Sequence, residues 1–358
     1  MAKAAPKKKQ PADPSVTDAA WPEELIPVQE TPWLRAPWQR FLAMQQQGRL
    51  PHGLLITGAR GLGTLGLARN IMAYLLCNDP IATPGKESAC GVCSTCRLRL
   101  AGTHPDIHLL TRTGVSQAAS AHGVSVDEIR TLIETFSFTR YGPLRIAFVE
   151  QAERMNRNAA NSLLKLLEEP PSGSLFLMTA ERADLLPSTI RSRVQRLSVT
   201  MPSRSALLGW LCDTQSVAKT DAELLWFMND EQLMKGQLPT WDWQAATAAL
   251  VELMTDDGAV LTTVHCWQGI ERDTLARWLL RLWVDVMRLH SGLQSEAPVT
   301  LAPLIRRLAQ HDSGEHWLKL HRVLLEFLQT ATHPLNDELA LARLALDLID
   351  PTLPHRLA

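Results

Sequence analysis

Gly53-Leu54-Leu55-Ile56-Thr57 is a short unbroken run that passes directly into the glycine-rich stretch TGARGLGTLG, Thr57 to Gly66, and then into a helical pattern ending near Leu76. A run with no polar alternation has no face to show water, so it belongs in a sheet covered on both sides. A glycine turn between such a strand and a helix is the opening unit of a parallel α/β sheet. The alternation continues down the chain. Asp106 to Leu110, Leu144 to Glu150, Leu175 to Thr179 and Arg196 to Val199 read as further short strands. Helical spacing surrounds them. PWLRAPWQRFLAMQQQGRL places Trp38, Phe41 and Leu42 on one face, Ser125 to Phe136 opens on a cap-like Ser-Val-Asp-Glu, and Asn158 to Glu168 carries a stripe of Ala160, Leu163, Leu164 and Leu167. The expected architecture is a three-layer, largely parallel α/β sheet.

After Pro202 the strand signals stop. Leu275, Trp278, Leu279, Leu282, Trp283 and Val286 form one helical stripe, and Leu335, Leu339, Ala342, Leu346 and Ile349 form another. Most of the eleven tryptophans fall outside the sheet region, where helical spacing marks them as core or subunit interface. The expected division is a tail over residues 1–25, an α/β domain over 26–201, a small helical domain over 202–242 and a larger helical bundle over 243–358. With 358 residues, each part except the tail has enough chain for a core. The formal charge of -1 gives no broad basic field for bulk nucleic-acid binding. No apolar stretch is long enough to span a membrane, and MAKAAPKKKQPADPS is too polar for a secretory signal. Its Pro, Ala and Lys content predicts a solvated, disordered tail.

The glycine loop looks like a phosphate loop without its chemistry. A working loop reads G-x-x-x-x-G-K-[ST]: backbone N–H groups cradle phosphates, the lysine neutralises them and the hydroxyl binds magnesium. Gly58, Gly61 and Gly63 keep the turn, but Thr64 stands at the lysine position and Leu65 at the metal-binding one. The strand Ile146 to Val149 should lead into an Asp-Glu pair, one supporting the metal and the other activating water; Glu150-Gln151 stands there instead. Glutamine cannot take a proton from water as a carboxylate does. These departures predict no ATP hydrolysis and no functional nucleotide in this chain's own site.

Four of the six cysteines cluster as Cys77, Cys90, Cys93 and Cys96. Two overlapping C-x-x-C units with a fourth thiol from the end of the preceding helix suit structural, tetrahedral Zn²⁺ in a reducing compartment; an iron–sulfur cluster or a redox dithiol are the alternatives. Arg97 and Arg99 beside the cluster read as solvated or as nucleic-acid contacts. Cys212 and Cys266 read as buried packing residues, and His104, His108 and His265 show no ligand spacing.

The chain resembles the bacterial clamp-loader family of the AAA+ superfamily over roughly residues 30–200. Four stretches carry the likeness: the loop after HGLLITG, the cysteine cluster, NRNAANSLLKLLEEPPSGSLFLMTA (Asn156 to Ala180) and LLPSTIRSRVQRLSV (Leu185 to Val199). The helical remainder matches only in the order of its parts. The resemblance implies a P-loop-type α/β domain with a zinc module, a small helical domain and a C-terminal helical collar. The family contains ATP-hydrolysing motors and a non-hydrolysing member, and the altered loop points to the latter. The resemblance further implies a rigid cytoplasmic scaffold that assembles with the motor (gamma/tau) and delta subunits to place the sliding β clamp on primed DNA. The family's Ser-Arg-Cys motif is Ser192-Arg193-Val194 here, which makes Arg193 a trans arginine finger for the neighbouring subunit's ATP; Arg191 and Arg196 are alternatives. Val194 departs from the cysteine but keeps an apolar residue of similar bulk. Thr179 matches the polar sensor position at a strand end and is expected to be structural. Two rival readings remain: an active AAA+ ATPase with an unusual loop, and a zinc-bearing DNA-binding module.

Overall fold

The computed structural model describes residues 25–110, 126–136, 140–228, 231–254, 259–310, 314–331 and 335–349. The expected basic tail, apart from its last residue, and the Ser125 cap lie outside them. Five strands form one sheet: β1 (Gly53–Thr57), β2 (Ile107–Leu110), β3 (Arg145–Val149), β4 (Ser174–Ala180) and β5 (Gln195–Ser198), in the spatial order β2-β3-β4-β1-β5. Every pairing is parallel, with Gly53 opposite Phe176 and Leu54 opposite Gln195. All residues of β1, β3 and β4 are buried, as their lack of alternation requires.

Helices cover both faces. On one lie α1 (Pro32–Gln46) and α2 (Thr64–Leu76), where Trp38, Phe41, Leu67 and Ile71 share a core with Leu54, Ile56 and Phe148. On the other, α4 (Val126–Phe136), α5 (Arg157–Glu168) and the short α6 (Ser188–Arg191) bring Ile129, Leu163, Leu167 and Ile190 against Leu55, Ala147, Phe176 and Met178. Leu54, Leu55 and Ile56 thus alternate between two cores, the period of two that a pleated strand imposes. α5 starts where Asn156 Oδ1 accepts the Ala159 N–H at 2.8 Å, an ordinary N-cap. Between α2 and β2 the chain carries the cysteine segment and α3 (Ser94–Leu100).

α7 (Arg204–Asp213) and α8 (Lys219–Met228) do not stand apart from the sheet. Leu207, Trp210, Leu211 and Leu225 extend the α1–α2 core, and Trp210 meets Trp33 edge-on with centroids 5.0 Å apart. Leu224 and Phe227 of α8 join a third core instead. That core is enclosed by α9 (Trp243–Leu253), α10 (Val260–Trp267), α11 (Arg272–His290), α12 (Ala302–Gln310), α13 (Gly314–Thr330) and α14 (Asp337–Ile349). The expected stripe on α11 is buried throughout. The stripe expected on α14 is not. Leu341, Leu344, Ala345 and Leu348 face the core, while Leu335, Leu339 and Leu346 are exposed. Apolar residues line two sides of this helix, and the inward one is set by packing against α10 and α13. Among the described residues no helix is long and apolar enough to cross a membrane.

Candidate functional site

After β1 the chain turns through Gly58 and enters α2 at Thr64. Gly61 and Gly63 have φ of 78° and 82°, a left-handed geometry that glycine adopts without a Cβ penalty. These two glycines make the tight turn between β1 and α2. On the side facing the strap before α1 its surroundings are apolar, while Arg60 pairs with Asp273 on another. Ile26, from the strap that precedes α1, lies on the first turn of α2, where a Cβ added to Gly66 would come within 2.6 Å of its Cδ1. A Cβ on Gly63 would meet Ile26, Leu34 and Met234 at 3.2 Å. Asn70 Nδ2 donates to the carbonyls of Gly66 and Ile26, tying the strap down. Trp33 Nε1 donates to Leu62 O at 3.0 Å. An isoleucine thus packs along the side of the first turn of α2.

β3 is followed by Glu150-Gln151 in a turn. Gln151 has φ of 50°, a strained conformation for a residue with a side chain, and its N–H donates to Thr179 Oγ1 at 3.2 Å. Thr179 is buried at the end of β4 and so bridges two strand ends. Thr179 therefore ties the end of β4 to the turn after β3.

Arg193 follows α6 and precedes β5. One guanidinium nitrogen donates to Thr189 O at 3.0 Å, and another pairs with Glu168 at 2.7 Å, with about a third of the arginine side chain open to solvent. Glu168 is the last residue of α5, and Arg193 lies in the turn between α6 and β5. Arg191 is exposed; Arg196 Nε donates to Thr57 Oγ1 at 2.8 Å across β5 and β1. Val194 packs into the α5 core and touches the strand at Gly53, where a Cβ would lie 3.0 Å from it. Its role is packing.

The four clustered cysteines come together with all sulfurs within 4.8 Å of one another. Cys77 caps the C-terminus of α2 and Cys93 the N-terminus of α3, so two helix ends fix half of the set. Cys77 and Cys93 sulfurs are 3.9 Å apart; tetrahedral Zn–S bonds of about 2.3 Å would place them roughly 3.8 Å apart. Backbone N–H groups of Cys90, Cys93 and Cys96 point at the sulfurs of Cys77, Cys90 and Cys93. Burial opposes ionisation of Cys93, but the Thr95 hydroxyl and the Cys96 N–H bring its thiol down to about 5. Burial, then the Cys93 sulfur, pushes Cys96 up to about 12. All four sulfurs could ionise together only around a cation, and the donor set fits a structural tetrahedral metal.

Arg99 corrects the expectation for the arginines beside the cluster. It is buried, directed inward by α3 toward His104, whereas Arg97 is exposed. Cys212 and Cys266 are half-buried against the first and third cores. Burial, then Arg145, pushes His108 down to about 4; His265 is exposed. No histidine joins the cysteine set among the described residues.

An open parallel sheet with a glycine turn after its first strand, helices on both faces and a trailing helical bundle define an α/β protein with a C-terminal helical bundle and a four-cysteine module. The family model described as DNA polymerase III, delta subunit, matches residues 34–203. A DNA polymerase III subunit delta' of Pseudomonas aeruginosa is 31% identical over 261 residues, covering 70% of this chain and 77% of the relative. That of Escherichia coli K12 is 28% identical over 302 residues, covering 78% and 83%. A solved DNA polymerase III gamma subunit-related protein of Thermotoga maritima aligns with 87% of this chain and 99% of its own, at 18% identity and a TM-score of 0.44. This chain belongs to the DNA polymerase III subunit delta' family.

Three site features had little signal in the sequence. Ile26 precedes the first recognisable helix, Glu168 stands in a Glu-Glu pair of ordinary appearance, and Asp273, which meets Arg60 of the loop, looks like a simple helix-start carboxylate.

Proposed function

We propose that this chain is a non-hydrolysing scaffold of a DNA polymerase III clamp loader, which joins motor and delta subunits to place the sliding β clamp on primed DNA. The observation that carries this reading is the first turn of α2. Thr64 and Leu65 offer neither a cation nor a magnesium ligand, and Ile26 packs closely against Gly66 beside them. Gln151 removes the water-activating carboxylate as well.

Arg193 is the residue this chain gives to catalysis. A permanently charged planar guanidinium stabilises charge on a transferring phosphoryl group. Its pairing with Glu168 supports the role by holding the side chain near one place on the surface. The chain divides into an α/β domain over 26–201, a small helical domain over 202–242 and a collar over 243–358. The exposed Leu339 and Leu346 of α14 suit burial against other collars. Zn²⁺ held by Cys77, Cys90, Cys93 and Cys96 fastens α2 to α3 and takes no part in phosphate chemistry.

The test is reconstitution of the loader with Arg193→Ala. The complex should assemble normally, while turnover at the one ATP site facing Arg193 falls by about a thousandfold. Unchanged DNA-stimulated ATPase would remove Arg193 from this role.

A further inference from the structure

After β1 the chain crosses to β2 on one side of the sheet; after β4 it leads to β5 on the other. Between the C-terminal ends of β1 and β4 lies the crevice where open α/β sheets take their ligands. Here the crevice contains the first turn of α11. Asp273, its second residue, has a side chain only 7% exposed, although it begins a helix of the distant bundle.

Charges from three strand ends converge on that turn. Arg60, in the loop after β1, donates to Asp273 Oδ2. Arg154, just beyond β3, stands 3.7 Å from Oδ1. Arg277, one turn along α11, reaches Oδ2 at 3.0 Å and also pairs with Glu181, just after β4, at 3.1 Å. The two sides are complementary: the bundle presents an acid and a base, and the sheet presents two bases and an acid. The α11 N-terminus further favours a negative charge at Asp273.

We propose that Asp273 is a built-in ligand of this crevice, a carboxylate placed where such folds accept an anion, which fastens the C-terminal bundle to the sheet. Arg60 and Arg154 thereby have an intramolecular counter-charge. The bundle cannot swing away from the sheet without exposing or stranding those charges, and the cost of stranding a buried charge exceeds that of an exposed pair. A ligand that normally comes and goes is replaced by one that is covalently part of the chain. This fastening does not depend on clamp loading and is tested on the isolated full chain.

The experiment is hydrogen exchange on the wild type, Asp273→Asn, Arg60→Met and the double variant. In Asp273→Asn, amides of 58–63 and of 271–275 should exchange faster by on the order of a hundredfold. β1, β4 and the middle of α11 should keep their protection. Arg60→Met should loosen the α11 turn on the far side of the boundary, and the double variant should add little to either single one. Inorganic pyrophosphate added to Asp273→Asn should slow exchange at 58–63 again. Unchanged exchange on either side, additive effects, or protection lost throughout both cores would overturn the fastening. No response to pyrophosphate would overturn the ligand assignment. Should Asp273→Asn not fold, Arg60→Met alone decides the fastening by its effect on 271–275.

Discussion

Replacing Ile26 by alanine separates two reasons why a nucleotide would be excluded from the loop. Ile26 is half-buried, held by Asn70 and seated on Gly66. The substitution removes three carbons; at about 0.8 kcal/mol per fully buried methylene, half-burial gives roughly 1 kcal/mol of lost stability. The expected fall in Tm is about 2–4 °C. It opens space beside the first turn of α2 but supplies neither a cation nor a magnesium ligand, so Ile26→Ala alone should not bind Mg·ATP. Thr64→Lys with Leu65→Thr restores the charge and the oxygen but leaves the isoleucine in place, and should not bind either. Only the triple variant should bind in titration calorimetry, with an affinity that disappears when magnesium is chelated. Heat of binding from the wild type, or from any variant short of the triple, would refute the claim that space and charge are both missing.

Asp106 is wholly buried and accepts the N–H groups of Tyr141 and Gly142 and the Arg145 guanidinium. Asp106→Ala leaves that arginine without its carboxylate and should cost about 3–5 kcal/mol, read as a lower urea midpoint. Cys96→Ser should release the bound metal, measured by elemental analysis, and lower the Tm while leaving the bundle's helicity unchanged. Leu339→Glu alters an exposed position, so stability should stay within about 0.5 kcal/mol, while association with partner subunits measured by sedimentation weakens. Burial would raise the Asp273 carboxyl, but Arg277, Arg60 and Arg154 outweigh it and hold the group below the usual carboxylate range, despite the nearby Glu181. A depressed carboxylate contributes stability that is complete above its unfolded pKa of about 3.9 and lost as pH falls through the folded value. Exchange at 271–275 should therefore stay slow at pH 5 and rise only in stronger acid.

The sheet was legible chiefly through β1, β3 and β4, whose nearly unbroken apolar runs are buried throughout, and through the glycine turn and helix that follow β1. The cysteine set was legible because three of its members are local in sequence. The features that could not be read have a common cause. Ile26 and Gly66, or Arg60 and Asp273, meet only after distant segments have packed, and no short-range period links them. The α14 stripe failed for a different reason. Leucines on two sides of one helix give two acceptable inward faces, and the choice belongs to neighbouring helices. Arg99 is similar: a charged residue beside a cysteine cluster looks solvated until the helix carrying it packs on the domain beneath.

Strand β1 is synthesised first and becomes the second strand from the sheet's edge, where its partners are β4 and β5. Gly53 has no neighbour to pair with until Phe176 has left the ribosome, on the order of ten seconds later at usual elongation rates. During that interval an uncapped apolar ribbon with bare amides on both margins is in search of company. A nascent chain of this design is most vulnerable to sticking before its second hundred residues are complete, and a chaperone that shields Leu54 to Ile56 would do its work then.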